Sequence, residues 1–263
     1  MSGTLSEADA AAHRERIWAE LAKVGRPDSR FHWDFSSFIA DFDGSDECAR
    51  TVRSLDCYQA GGLLFITPDN STEELRAQVM ADGRPFLMTT YGIARGFLHL
   101  DPSRVPPSER RYAATLDGMD RYATPVSLAQ VAALCQPEQM GPVSLLVTGG
   151  SAVSRNGVRF GKGHGYFDLE FAMLSEIGAV GPASQVVDVV HDCQVVDGQL
   201  TGADHDVPVD WVVTPTRCLP VPGNGRQPGR VRWELLAGSP LRNVPPMIEL
   251  AALGSRDHRA SKP

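Results

Sequence analysis

The chain has 263 residues, 42% hydrophobic and 22% charged, which leaves room for one large α/β domain or two small ones and needs no metal or disulfide staple to build a core. A net charge of −7 and a pI near 5.5 argue against a general binder of nucleic acid or membrane surfaces, since both need a basic face. A small-molecule ligand in a local basic pocket is compatible with that balance.

From Ser6 to Lys23 the residues Ala11, Ile17, Trp18, Leu21 and Ala22 recur at helical spacing. Ser6 is placed to cap this helix, Gly25 and Pro27 end it, and one face carries His13, Arg14 and Arg16. Residues 26–45 are aromatic-rich without periodicity and read as a loop that either covers a pocket or packs on the core. A helix is expected over 46–55 and a buried strand over 62–67. A helix over 73–82, capped by Ser71 or Thr72, leads into a strand over 84–90. That strand–helix–strand order is a βαβ unit, so the fold class is α/β with a mostly parallel sheet. Residues 98–111 read as a proline-rich surface excursion and 128–135 as a short helix.

The strongest strand signal is Pro142–Thr148, apolar almost throughout and followed by Gly149 and Gly150, as suits a strand covered on both faces. Further strands are expected over 185–191 and 210–215, with a helix from Leu169 to Ile177 stopped by Gly178. One domain over 6–236 is expected, then a Pro/Arg-rich, partly disordered tail over 237–263 with a strand at 230–235 before it.

Between the central strand and the Leu169 helix lies Gly157-Val-Arg-Phe-Gly-Lys-Gly-His-Gly-Tyr-Phe-Asp168. Glycines alternating with Arg159, Lys162 and His164 let a backbone pass close to an anion, and the following helix adds its N-terminal N–H groups. A plain tight turn is the competing reading. Gly161, Gly163 and Gly165 give GxGxG, which does not match the dinucleotide fingerprint. If a triphosphate sits there, magnesium would need one or two carboxylates, and Asp168 and Asp206 are placed to supply them. His191-Asp192-Cys193 is expected on a strand, where neighbours face opposite sides and cannot form a relay.

The five cysteines (Cys48, Cys57, Cys135, Cys193 and Cys218) form no CxxC pair and read as reduced thiols. The N-terminus lacks a signal-peptide pattern, and no apolar run approaches the roughly 18 residues of a membrane span. A cytoplasmic location is expected, with no membrane and no nucleic-acid partner.

Arg159-Phe-Gly-Lys-Gly-His-Gly-Tyr-Phe-Asp168, then His191 to Asp197 and His205 to Arg217, resembles the 5-formyltetrahydrofolate cyclo-ligase (methenyltetrahydrofolate synthetase) family, most of all its divergent domain-containing branch. The resemblance implies a Rossmann-like α/β fold of the sugar-phosphate isomerase and CoA-transferase group, with helices on both faces of the sheet. It implies an enzyme that uses ATP and Mg2+ to cyclise 5-formyltetrahydrofolate or a folate-like small-molecule substrate. Arg159, Lys162 and His164 would be catalytic. Arg14, Arg159, Gly161, Lys162, Gly163, His164, Gly165 and Tyr166 would hold ATP, and Asp168 and Asp206 the metal. Ala10 stands where the family has a lysine, and no glutamate matches the one expected near the formyl group, so a nucleotide-binding protein without catalysis, or a ligase for another substrate, is the alternative.

Overall fold

A computed structural model of the chain describes residues 7–160, 165–197 and 200–260. The helices used below are α1 (Glu7–Val24), α2 (Ser45–Ser54), α3 (Glu73–Ala81), α4 (Leu128–Leu134), α5 (Tyr166–Glu176) and α6 (Pro245–Ala260), with short helices such as Leu116–Tyr122 and 3-10 turns between them. The apolar runs form β1 (Leu63–Ile66), β2 (Phe86–Thr89), β3 (Phe97–Leu100), β4 (Thr124–Val126), β5 (Val143–Gly149), β6 (Gln185–Val189), β7 (Trp211–Val213) and β8 (Cys218–Pro220). These pair in the order β8-β7-β6-β5-β1-β2-β3-β4. The five strands from β7 to β2 run parallel, and β8, β3 and β4 close the edges antiparallel.

Side chains alternate across a strand, and here both faces are buried. Leu64, Ile66, Leu145, Val147, Val187 and Val189 join one cluster with Cys48 and Val52 of α2 and Leu75, Val79 and Met80 of α3. Leu63, Phe65, Leu146, Val186 and Val190 face the other way, against Val131 of α4 and Phe171, Met173 and Leu174 of α5. That two-sided burial is why these strands read as continuous apolar runs, and it gives the α/β architecture with helices on both faces.

Strand order fixes where a ligand can enter. The chain runs outward from β1 to β2, then returns to place β5 on the opposite side of β1. Connections leaving β1 and β5 therefore diverge above the carboxyl ends of two adjacent parallel strands, the position where open α/β sheets bind ligands.

Five local expectations differ from the structure. The tail over 237–263 carries a helix: Ser239 caps a turn at Pro240–Asn243, and α6 buries Met247 and Leu250 against the α5 face. Prolines there read as breakers, but proline suits the first turn of a helix, whose N–H groups have no intrahelical partner. Instead of a strand at 230–235, residues 230–232 are irregular and 233–238 turn, and the start of the proposed excursion, Leu98–Leu100, pairs with β2. Helix α3 begins without a side-chain cap, because a 3-10 turn at Asn70–Thr72 leads into it and the Thr72 hydroxyl turns back to the carbonyls of Thr67 and Asp69. His191 lies just past β6 and caps a 3-10 turn, so its Nδ1 stands 3.2 Å from Cys193 Sγ and the two do face each other. Burial pushes the Cys193 thiol up to about 11, which leaves it protonated and unreactive at neutral pH.

Candidate active site

Above the ends of β1, β2 and β5 opens a cleft of about 1060 Å³, its mouth included. One wall is Thr67, Pro68 and Asp69 after β1, and another is Thr148 and Gly149 at the end of β5. The aromatic-rich segment supplies Phe38 and Ile39, with Phe31 stacked 4.7 Å from Phe38 and 5.0 Å from Tyr91, so this stretch packs inward and also walls the cleft. Gly149 must be glycine: a Cβ there would lie 2.3 Å from Ser71 Oγ and 2.7 Å from Ile39 Cγ2.

The glycine-rich stretch delivers its ends to this cleft. Arg159 sits on the two-residue strand Arg159–Phe160, which pairs antiparallel with Ala152–Ser154, itself parallel to Val195–Val196. Gly165, at φ 62°, precedes α5 in a left-handed conformation that glycine adopts without strain. Tyr166 and Asp168 follow in the first turn of α5. Gly161, Lys162, Gly163 and His164 lie outside the described residues. Arg14 belongs to α1, one turn before Ile17, and its side chain is also outside what is described. Ile17 packs on Ala152, Val196 and Leu200, so α1 docks on the small sheet that carries Arg159.

Arg159 is the cation of the described cleft. Its side chain is 8% exposed, its Nη2 donates to Asp168 Oδ1 at 3.1 Å, and its guanidinium lies 4.5 Å over the Phe167 ring. One N–H is used there, and the buried Nε–H has no acceptor. Asp168 Oδ1 also accepts from Val207 N at 2.9 Å, which ties the following acidic loop to the helix. Asp206 on that loop reaches the same cleft, with Oδ2 accepting from Ala203 N at 2.7 Å. Arg159, Gly165, Tyr166, Asp168 and Asp206 are thus brought together.

Three further carboxyls surround this group, none of them picked out by the sequence. Asp69 accepts from the Thr67 hydroxyl at 2.5 Å and from Gly149 N at 3.1 Å, and burial pushes its pKa up against those bonds. Glu170, 2% exposed, accepts from the Thr89 hydroxyl with one oxygen, while Oε2 is buried without a partner. Burial pushes it up to about 8, opposed by Thr89 and Arg159 and reinforced by Asp69 and Asp168. Asp188 lies fully buried in β6, both oxygens unpartnered, and burial pushes it up to about 7 despite Arg159. Asp188 had a signal in the sequence, a lone charge inside Gln185–Val190. Glu170 had none, since a glutamate in a helix is ordinary.

Residues 6–215 match the model of the 5-formyltetrahydrofolate cyclo-ligase family. The chain belongs to that family. It is 30% identical over 252 residues to the human methenyltetrahydrofolate synthase domain-containing protein, covering 95% of this chain and 62% of that one. The mouse protein of the same description is 31% identical over 252 residues, with 95% and 64% covered. The chain therefore spans less than two thirds of the length of these relatives. Among solved structures, the 5,10-methenyltetrahydrofolate synthetase of Aquifex aeolicus aligns at a TM-score of 0.46 and 16% identity, covering 81% of this chain and 92% of that one. No helix among the described residues is long and apolar enough to cross a membrane.

Proposed function

We propose that the chain is an ATP- and magnesium-dependent cyclo-ligase that converts 5-formyltetrahydrofolate, or a folate-like formyl or amide substrate, to a cyclised product with release of ADP and phosphate. The observation that carries this reading is the meeting of Arg159, Asp168 and Asp206 in one cleft above the switch point of a parallel sheet. A buried arginine N–H without an acceptor, beside a glycine-rich turn into a helix, fits an anion such as a phosphate.

The residues also fit a hard cation. Hydrogen bonds among the described residues engage Asp168 Oδ1 and Asp206 Oδ2, leaving the second oxygen of each for a metal. Among the described residues no group of three or more ligating side chains forms a protein-only cage, and magnesium characteristically takes one or two carboxylates plus phosphate oxygens. Magnesium, when bound, would draw charge from the phosphate oxygens during transfer.

The chemistry follows from the poor leaving ability of a formyl oxygen. That oxygen attacks the γ-phosphorus of ATP, an O–P bond forms, and the bond to ADP breaks. The neighbouring substrate nitrogen then attacks the activated carbon and gives up its proton, and the C–O bond breaks to release phosphate. Arg159 holds the transferring phosphoryl charge, and a walled cleft keeps water from the activated carbon. Lys162, His164 and Arg14 would join it at the phosphates, a role that rests on the resemblance of their sequence stretches to the family.

Calorimetric titration of ATP tests the cation site. Asp168→Asn keeps an acceptor for Val207 N but loses the metal-directed charge, so affinity for ATP–magnesium should fall about tenfold or more while affinity for ATP with chelator changes little. Equal losses with and without magnesium would remove Asp168 from the metal site.

A further inference from the structure

The cleft has two ends of unlike chemistry. Arg159 makes one end cationic. At the other lies Glu170, whose Oε1 accepts from the hydroxyl of Thr89, the last residue of β2. Oε2 of the same carboxyl is buried and unpartnered although it belongs to a residue that lines the cleft. The nearby Thr148 hydroxyl does not reach it, because it donates to the Gly149 carbonyl at 3.2 Å. Buried polar atoms in folded proteins are almost always satisfied, and an orphan held rigidly at a ligand cleft is accounted for by a ligand group. A carboxylate oxygen can only accept, so the group that satisfies it is a donor such as an N–H.

We propose that Glu170 is a specificity-determining residue whose Oε2 accepts a hydrogen bond from a ring or amide N–H of the bound substrate. The ligand class is an N–H-bearing nitrogen heterocycle whose anionic partner sits at the Arg159 end. The assignment of that heterocycle to a reduced folate rests on the cyclo-ligase reading; the contact itself does not. Glu170 follows Asp168 by two positions on α5, and the intervening Leu169 packs into the core, so one helix turn presents Asp168 to the phosphate end and Glu170 to the heterocycle end.

The test compares native protein with Glu170→Gln and Glu170→Ala. Glutamine keeps the shape and an oxygen for Thr89, but turns an NH2 donor toward the ligand's own donor. At pH 9, where the Glu170 carboxyl is ionised, the Kd for 5-formyltetrahydrofolate should rise about 10- to 100-fold in both variants, with glutamine as poor as alanine, while the Kd for ATP–magnesium stays within about twofold. A purely structural role would leave the glutamine variant near native, and that result overturns the proposal. If native protein binds ATP–magnesium but no 5-formyltetrahydrofolate, the cyclo-ligase reading fails, and thermal shifts with pterin, guanine, adenine and uracil decide the contact. A heterocycle that stabilises native protein and not Glu170→Gln supports it. Equal shifts in both proteins, or none in either, overturn it.

Discussion

Replacing Asp188 with asparagine should stabilise the protein by on the order of 3–4 kcal/mol at pH 8, with the gain shrinking as the pH falls toward 4. Asp188 is a fully buried carboxyl in the centre of β6, beside Thr148 of β5 and Val212 of β7, and neither oxygen has a partner. Burial raises its pKa from 3.8 to about 7, with Arg159 offsetting part of the shift and Asp69 adding to it. Because the folded pKa lies above the unfolded one, the folded state holds a proton that the unfolded chain releases between roughly pH 4 and 7. Stability therefore drops as pH rises through that window, and asparagine, which cannot ionise, removes the drop. Urea unfolding of both proteins at pH 5, 6.5 and 8 measures the difference. A variant less stable than native at pH 8 would show that Arg159 holds Asp188 ionised, contrary to this expectation. Gly150 is part of the same arrangement, since a Cβ there would lie 2.8 Å from Asp188 Oδ2.

Arg159→Ala should lower kcat/KM for the ATP-dependent reaction by at least about 100-fold, the usual consequence of removing a charge that stabilises a transferring group. It also strips the cation from among Asp69, Asp168, Glu170 and Asp188, on all of which this arginine acts or to which it bonds. Some stability is lost with it, so the folded fraction is checked by thermal unfolding with saturating ATP–magnesium present and absent. Arg159→Lys separates the two effects: charge is kept and the fold with it, but a single ammonium cannot hold Asp168 and a phosphate oxygen in the arginine's fork geometry. The lysine variant should remain folded and lose about tenfold or more in kcat/KM. Full activity in Arg159→Lys would mean that only the charge matters at this position.

The parallel core was readable because burial on both faces leaves continuous apolar runs, as in Pro142–Thr148 and Gln185–Val190. The glycine-rich stretch stood out by its composition, and its described ends, Arg159 and Gly165, line one cleft with Asp168 and Asp206. Helix α6 was hidden by its opening Pro245-Pro246, which reads as a break yet suits a helix start. The pairing of Phe97–Leu100 with β2 was hidden by the prolines that follow it. Glu170 could not be found, since what sets it apart is the Thr89 hydroxyl 81 residues away and a free oxygen, both products of tertiary packing. The relay was judged from strand geometry because the strand was drawn two residues too long; past Val189 the backbone turns, and His191 caps a 3-10 turn that holds its ring against Cys193.

The most direct measurement is turnover of 5-formyltetrahydrofolate by the native chain, followed through the absorbance of the 5,10-methenyl product and the release of phosphate. Product formation that requires both ATP and magnesium, with one phosphate released per ring closed, is the predicted result. A folded chain that binds ATP–magnesium yet forms neither the methenyl product nor phosphate at any substrate concentration would contradict the assignment.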